Sequence, residues 1–180
     1  MTTTHRPHPY VGPPELRRLL APALEGTPIR SPGDLTAWLA SRPGPEPAEP
    51  FTYVVDLAGR LRLAPRRSEH VVCAGGAPVL CAGEIAFEAA DGTDGWAAHE
   101  VTNQSTGYCP DPGPAWPALA AALDLAGIAH PPGFTHAFVF RRCPACRELN
   151  VVREAEYLCA LCEAPLPMEW NVSGRTGAGV

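Results

Sequence analysis

The constraint that narrows this chain most is the spacing of its last four cysteines. Cys143-Pro-Ala-Cys146 and Cys159-Ala-Leu-Cys162 read C-x2-C-x12-C-x2-C. Two residues between paired cysteines let backbone N–H groups turn toward the sulfurs and set both thiolates on one ion. Two such knuckles complete the tetrahedron that structural Zn(II) favours. The intervening residues, 147–158, are enough for two short strands and a turn, so the pattern predicts a zinc ribbon over 141–172. A pair of disulfides is the competing use of four cysteines, and it belongs to secreted chains. The opening Met1-Thr-Thr-Thr-His-Arg-Pro-His-Pro9 has no charged region followed by an apolar one, as a secretory signal would. The expected setting is therefore a reducing cytoplasm. Rubredoxin-like iron is the other alternative, with a longer spacer and a glycine after each knuckle, where Arg147 and Glu163 stand here. A closed four-cysteine site has no open coordination position, so its metal is expected to stabilise and not to catalyse. Arg141, Arg142 and Arg147 flank the thiolates and are expected to offset their charge.

With 180 residues, the chain has room for one domain and a small appendage. Its apolar runs fall far short of the roughly 18 residues of a membrane span, so no membrane is expected. All 14 basic residues are Arg, which removes a Walker A lysine, a Schiff-base lysine and a lysine general base together. The net charge of −5 disfavours general nucleic-acid affinity. Residues 141–170 hold four Arg against five Glu, so the ribbon lacks the basic footprint of a nucleic-acid reader. A protein partner is the expectation.

Along the chain, residues 1–12 read as a disordered tail. Pro13-Pro14 with Leu16, Leu19, Leu20 and Ala23, then Ser31-Pro-Gly-Asp34 with Leu35, Trp38 and Leu39, predict a helical hairpin. Arg42 to Pro50 carries four prolines in nine residues and reads as a linker, so 1–50 is expected to be a separable arm. Strand patterns follow at 51–57, 60–63, 70–74, 79–88 and 96–102, then a helix from about Pro114 to Ala126 closed by Gly127, and a strand at 134–140. The predicted class is α+β: an antiparallel meander core over 51–140 with one packed helix, the zinc ribbon over 141–172, and a disordered tail at 173–180.

Two segments carry a second motif. Ala74-Gly-Gly-Ala-Pro-Val-Leu-Cys-Ala-Gly-Glu84 follows Ser68-Glu-His70, and Asn103-Gln-Ser-Thr-Gly-Tyr-Cys-Pro110 comes later. Over roughly residues 65–127 the chain resembles a domain of bacterial toxin-like proteins and plant IQ-motif calmodulin-binding proteins, with the pattern AGGxPVxxAGE and then SNxSGHYxP. The resemblance implies a bacterial setting, and a fold more than a function. Its polar HHSS run becomes Ser68-Glu69-His70-Val71, and its histidine falls on Gly107. The enzymatic alternative is a nucleotide- or NAD-using transferase near Ser68, His70, Glu84, Ser105 and Tyr108, with Arg66-Arg67 forking onto an anion. In that case the loop 103–111 lies beside 68–70, and the missing histidine implies binding without turnover. The plainer reading gives Gly75-Gly76 and Gly83 to tight turns and close packing, Asn103 and Ser105 to holding a loop, and Tyr108 to packing.

Other residues suggest less. Cys109 as a nucleophile with His99, His130 or His136 has no supporting context, and Cys73 and Cys81 read as small core residues. His99 and Glu100 point to opposite faces of a strand, His5 and His8 lie in the tail, and His136 reads as packed. The leading expectation is a non-catalytic, zinc-binding cytoplasmic interaction or adaptor module. Transferase activity is the first alternative, and nucleic-acid binding through the ribbon is the second. Convergence of His70, Glu84, Ser105 and Tyr108 in a concave pocket favours the enzyme, whereas an apolar surface near the ribbon favours the module.

Overall fold

The computed structural model describes residues 5–42, 50–90 and 95–173. Its elements are β1 (Thr27–Ile29), α1 (Pro32–Ala40), β2 (Phe51–Val55), β3 (Leu61–Ala64), α2 (His70–Cys73), β4 (Cys81–Ala89), β5 (Trp96–Val101), α3 (Pro112–Leu125), β6 (Val139–Arg142) and β7 (Leu149–Val152). A five-stranded sheet runs β1-β3-β2-β4-β5 with every neighbouring pair antiparallel, and β6 and β7 form a separate hairpin. The class is α+β, as the sequence implies.

Side-chain alternation gives the sheet two buried faces. Tyr53 and Val55 of β2, Leu61 and Leu63 of β3, and Cys81 and Ile85 of β4 face α1 and α3, meeting Leu35, Trp38, Leu119 and Leu123. Val54, Ala64 and Ala82 face the other way, toward Cys73 of α2, Val79 and Tyr108. β2 lies at the centre, and each of its residues is buried. α3 ends as the sequence indicates, with Gly127 in the left-handed region at φ +68.

The amino-terminal third departs from expectation. Its first predicted helix is a pair of 3-10 turns, Pro14–Leu19 and Pro22–Leu24, with no buried residue. Pro22 has no N–H to continue an α-helical ladder, which stops the segment from extending. The second helix begins as read: the Ser31 hydroxyl accepts the Asp34 N–H at 3.0 Å, and Leu35 and Trp38 are buried. Between them Thr27–Ile29 adds a strand to the edge of β3. The helical hairpin is therefore corrected to 3-10 turns, an edge strand and one α-helix, all built onto the core. The disordered reading of residues 1–12 is corrected for the part the structure describes. His8 is buried, donates its N–H to Val79 O at 2.7 Å and accepts the Val79 N–H at 3.0 Å. Residues 43–49 of the linker expected at 42–50, and 174–180 of the tail expected at 173–180, lie outside the described residues.

Residues 70–73 also differ, forming a helical turn and not a strand. Val71 and Val72 give a β-like signal, but the Glu69 carbonyl accepts both the Val72 and Cys73 N–H groups. Gly75 and Gly76, at φ +59 and +79, then reverse the chain. The fifth strand of the sheet is β1 instead.

A chain beginning at Pro50 is expected to be unfolded or insoluble. Fully burying a large apolar side chain contributes about 1.5–3 kcal/mol, so losing Ile29, Leu35 and Trp38 removes much of a small domain's roughly 5–15 kcal/mol. Circular dichroism and thermal melting of the truncated chain check this; a cooperative melt near that of the full chain would restore the separable-arm reading.

Candidate metal centre

The hairpin β6–β7 carries the first knuckle at its tip. Beyond the Arg142↔Leu149 pair, the Cys143 N–H donates to Glu148 O at 2.8 Å, and the Arg147 N–H returns to Cys143 O at 3.0 Å. The second knuckle repeats the pattern: the Cys159 N–H donates to Ala164 O and the Glu163 N–H to Cys159 O, both at 2.9 Å. Arg147 and Glu163 take the left-handed conformation after each turn, at φ +67 and +59. The same backbone turn thus presents both cysteine pairs.

The four sulfurs converge. All lie within 4.8 Å of one another, with Cys143 Sγ to Cys162 Sγ and Cys146 Sγ to Cys159 Sγ each at 3.6 Å. None is in a disulfide. Buried Asn150 of β7 joins the two knuckles. Its Nδ2 donates to Glu148 O at 3.0 Å and points at Cys159 Sγ at 3.5 Å, while its Oδ1 accepts the Ala160 N–H at 2.9 Å. Desolvation works against the Cys159 thiolate, but the Cys162 and Leu161 amides and the Asn150 carboxamide outweigh it and bring that thiol down to about 6. The Cys146 amide, ahead of an opposing desolvation, likewise lowers Cys143. Four convergent sulfurs with amide donors aimed at them form a site for one metal ion.

Two of the arginines expected to offset thiolate charge act elsewhere. Arg141 is buried and donates to the Phe140, Pro167 and Met168 carbonyls at 2.8, 2.9 and 2.6 Å. Arg142 donates to Arg147 O at 2.9 Å. Both groups fix backbone. The chain after the second knuckle becomes a strap along β6, where the Asn171 carboxamide accepts the Arg142 N–H at 2.9 Å and donates to Arg142 O at 2.7 Å. Next to it, Trp170 Nε1 donates to Cys109 O at 2.9 Å, and its ring meets His8 edge-on at 5.4 Å.

The residues proposed for a nucleotide site separate into packing roles. Tyr108 is buried, and its hydroxyl donates to Ala77 O at 2.7 Å. The Ser105 hydroxyl accepts the Tyr108 N–H at 3.3 Å inside the same loop. His70 Nε2 contacts Gly83 O at 2.9 Å. Ser68 offers its carbonyl to the Thr52 hydroxyl at 3.0 Å, and it borders a 370 Å³ groove formed with Leu24, Arg42 and Leu63 that none of the other four residues reaches. Glu84 is half-buried and pushed above the usual carboxylate range by desolvation, then by Glu100. The loop and the Ser68–His70 turn do approach each other, through Gly83: a Cβ there would overlap the Thr102 carbonyl oxygen and crowd Asn103. The juxtaposition is a packing contact, with backbone filling the space between the two segments.

The remaining cysteines are buried, and desolvation pushes Cys73, Cys81 and Cys109 up to about 12. His136 was expected to pack but is exposed, touching Phe138 at 4.8 Å between ring centres. The histidine that sequence reasoning missed is His8. Its Nδ1 contacts Leu80 O at 3.1 Å, and its Nε2 accepts the Asp111 N–H at 3.1 Å, so the neutral form with a proton on Nδ1 satisfies both. Flanking prolines hid it, because only the fold shows its strand-like bonds to Val79. Among the described residues no helix is long and apolar enough to cross a membrane. No family model matches the chain, and neither curated proteins nor solved structures gave a significant match.

Two predictions follow from these contacts. Gly83→Ala is expected to destabilise by about 3 kcal/mol or more, because the obstacle is backbone and cannot rotate away. A urea midpoint unchanged from wild type would refute this. Desolvation, the largest influence on each, lowers the pKa of both His8 and His70. The unfolded chain therefore takes up protons first at these two histidines as pH falls through about 6.5, so their contribution to stability is level above that pH and declines below it. Metal-saturated wild type is expected to lose stability more steeply from pH 7 to 5.5 than His8→Gln, and equal slopes in denaturant titrations would contradict the assignment.

Proposed function

We propose that the chain is a zinc-held protein-interaction module. The observation that carries this reading is the set of exposed apolar side chains around the second knuckle and β7. Leu158 is 57 % exposed, Leu161 69 % and Val151 38 %, and all three line one groove of about 830 Å³ beside Cys159. Exposed leucines scattered singly are ordinary, but a group of them around one concavity marks a contact surface. Zinc suits the site on geometry: ligand bonds of about 2.3 Å in a tetrahedron place sulfurs roughly 3.8 Å apart, close to the 3.6 Å of the two close pairs. Cys143, Cys146, Cys159 and Cys162 would hold it. The ion would supply the cross-link that keeps the groove's two walls in register, since the module has few buried apolar residues of its own. The transferase reading draws no comparable support: of Ser68, His70, Glu84, Ser105 and Tyr108, only Ser68 borders any of three grooves among the described residues, and the Tyr108 hydroxyl is engaged by Ala77 O.

Purified protein is expected to carry one zinc per chain, and Cys159→Ser to lose it along with the hairpin's amide dispersion. A photocrosslinking residue at Leu161 in cells is expected to give discrete protein adducts that Cys159→Ser abolishes. The same probe at Leu125, 73 % exposed on α3, serves as the control. Metal-free protein with an intact hairpin would overturn the zinc reading, and equal adducts from Leu125 and Leu161 would overturn the interaction surface.

A further inference from the structure

We infer that the groove receives an extended, basic partner segment that adds as a third strand to β7. This rests on the interaction-module reading and names the occupant of that surface. The first support is hydrogen-bond parity. Since the Cys143 N–H meets Glu148 O, the ladder directs the backbone groups of Glu148, Asn150 and Val152 toward β6, and those of Leu149 and Val151 outward. The outward groups on the opposite side of the hairpin belong to Phe140 and Arg142: the Asn171 carboxamide closes both of Arg142's as a neighbouring strand would, and the Arg141 guanidinium donates to the Phe140 carbonyl. Among the described residues nothing does the same for Leu149 and Val151. The β6 edge is occupied by the carboxy-terminal strap at Arg142, and the β7 edge residues Leu149 and Val151 line the groove.

The groove's shape and charge then select the occupant. Leu149 and Val151 of β7 line it together with Leu158 and Leu161 at the second knuckle, and no backbone pairing joins these two segments among the described residues. An added strand would satisfy the outward groups of Leu149 and Val151 and turn alternate side chains onto the leucines, the usual manner of strand addition. Glu148 and Glu156 border the groove against Arg153, and neither carboxylate has an ion-pair partner among the described residues. Four thiolates on a divalent ion add a net charge of about −2 beside them. The field favours Arg or Lys between apolar residues. A second copy fits poorly: pairing Leu149 with the partner copy's Val151 sets Arg147 opposite Arg153, and like charges across strands repel.

The test uses the full-length, zinc-loaded chain and an acetylated heptapeptide alternating arginine with valine. Comparison peptides carry glutamate for arginine, or N-methyl groups on alternate amides. The basic peptide is expected to slow hydrogen exchange at the Leu149 and Val151 amides and to bind at least about tenfold tighter than either comparison peptide. Val151→Pro removes an outward donor that the β6 ladder does not use, and is expected to weaken binding about tenfold or more with zinc content unchanged. Glu156→Arg, a surface charge change, is expected to narrow the preference for the basic peptide. Equal binding of the glutamate peptide, or exchange protection that maps elsewhere, would overturn the inference. So would a dimer of the chain that Val151→Pro dissolves, since the occupant would then be a second copy. If no peptide binds but Leu161 still crosslinks, the strand-addition inference falls and the interaction module stands; if both fail, both fall.

Discussion

The carboxamide of Asn103 is the contact on which the most segments depend. It is fully buried: Nδ2 donates to Pro110 O at 2.9 Å and Phe138 O at 2.8 Å, while Oδ1 accepts the Phe138 N–H at 2.7 Å. Leaving a buried amide unpaired costs about 1–3 kcal/mol per group, so these bonds tolerate little displacement. They close the loop that leads into α3 and fix the segment that becomes β6. Since Gly83 lets the Thr102–Asn103 backbone lie against β4, the side chain is delivered to one place. The metal hairpin therefore hangs from a point set by the central sheet.

From that point two straps converge on one another. The amino-terminal strap brings His8 under Asp111, and the carboxy-terminal strap lays Trp170 on His8 and on the Cys109 carbonyl. Arg6 lies over the Trp170 ring at 5.3 Å and reaches Asp111 at 3.2 Å. That exposed ion pair contributes little by itself; the buried histidine and the apolar contacts of Phe140 and Val172 carry the join. Order in the metal knuckles and order in the core are coupled here, because Arg141 and Asn171 tie the strap to β6. Any ion that orders the knuckles would thereby also brace Arg6 and His8.

What the sequence makes legible is local chemistry. The cysteine spacing, the Ser31 cap and the glycine after α3 each act through neighbours a few residues away, and each takes the geometry expected of it. Legibility fails where distant segments decide. Thr27-Pro-Ile29 is too short to signal a strand until β3 offers an edge, and Val71-Val72 reads as β because nothing local discloses that Glu69 will cap a turn there. The polar motif residues were ambiguous for the same reason. Asn103 and Ser105 look alike whether they bind a ligand or hold a loop, and only their partners tell. Arg141 and Arg142 stand beside the cysteines in sequence, but that proximity says nothing about which carbonyls a guanidinium will reach.

Gly107 shows how an apparent departure from a motif can have a local cause. A Cβ at that position would come within 2.8 Å of the Tyr10 ring, and the Val11 N–H donates to Gly107 O at 2.8 Å. Tyr10 in turn packs edge-on against Tyr108 at 5.5 Å, with Arg17 over its other face at 5.0 Å. The amino-terminal strap therefore occupies the volume that a histidine at 107 would need. Glycine at 107 and the docked strap imply each other: a side chain there would expel Tyr10, and losing Tyr10 would uncover Tyr108 and weaken the cluster of Val54, Cys73 and Val79 beneath it. Whatever surface the 103–111 loop offers in a chain without such a strap, here it is closed from the amino-terminal side by Tyr10 and the Arg17 guanidinium stacked on it.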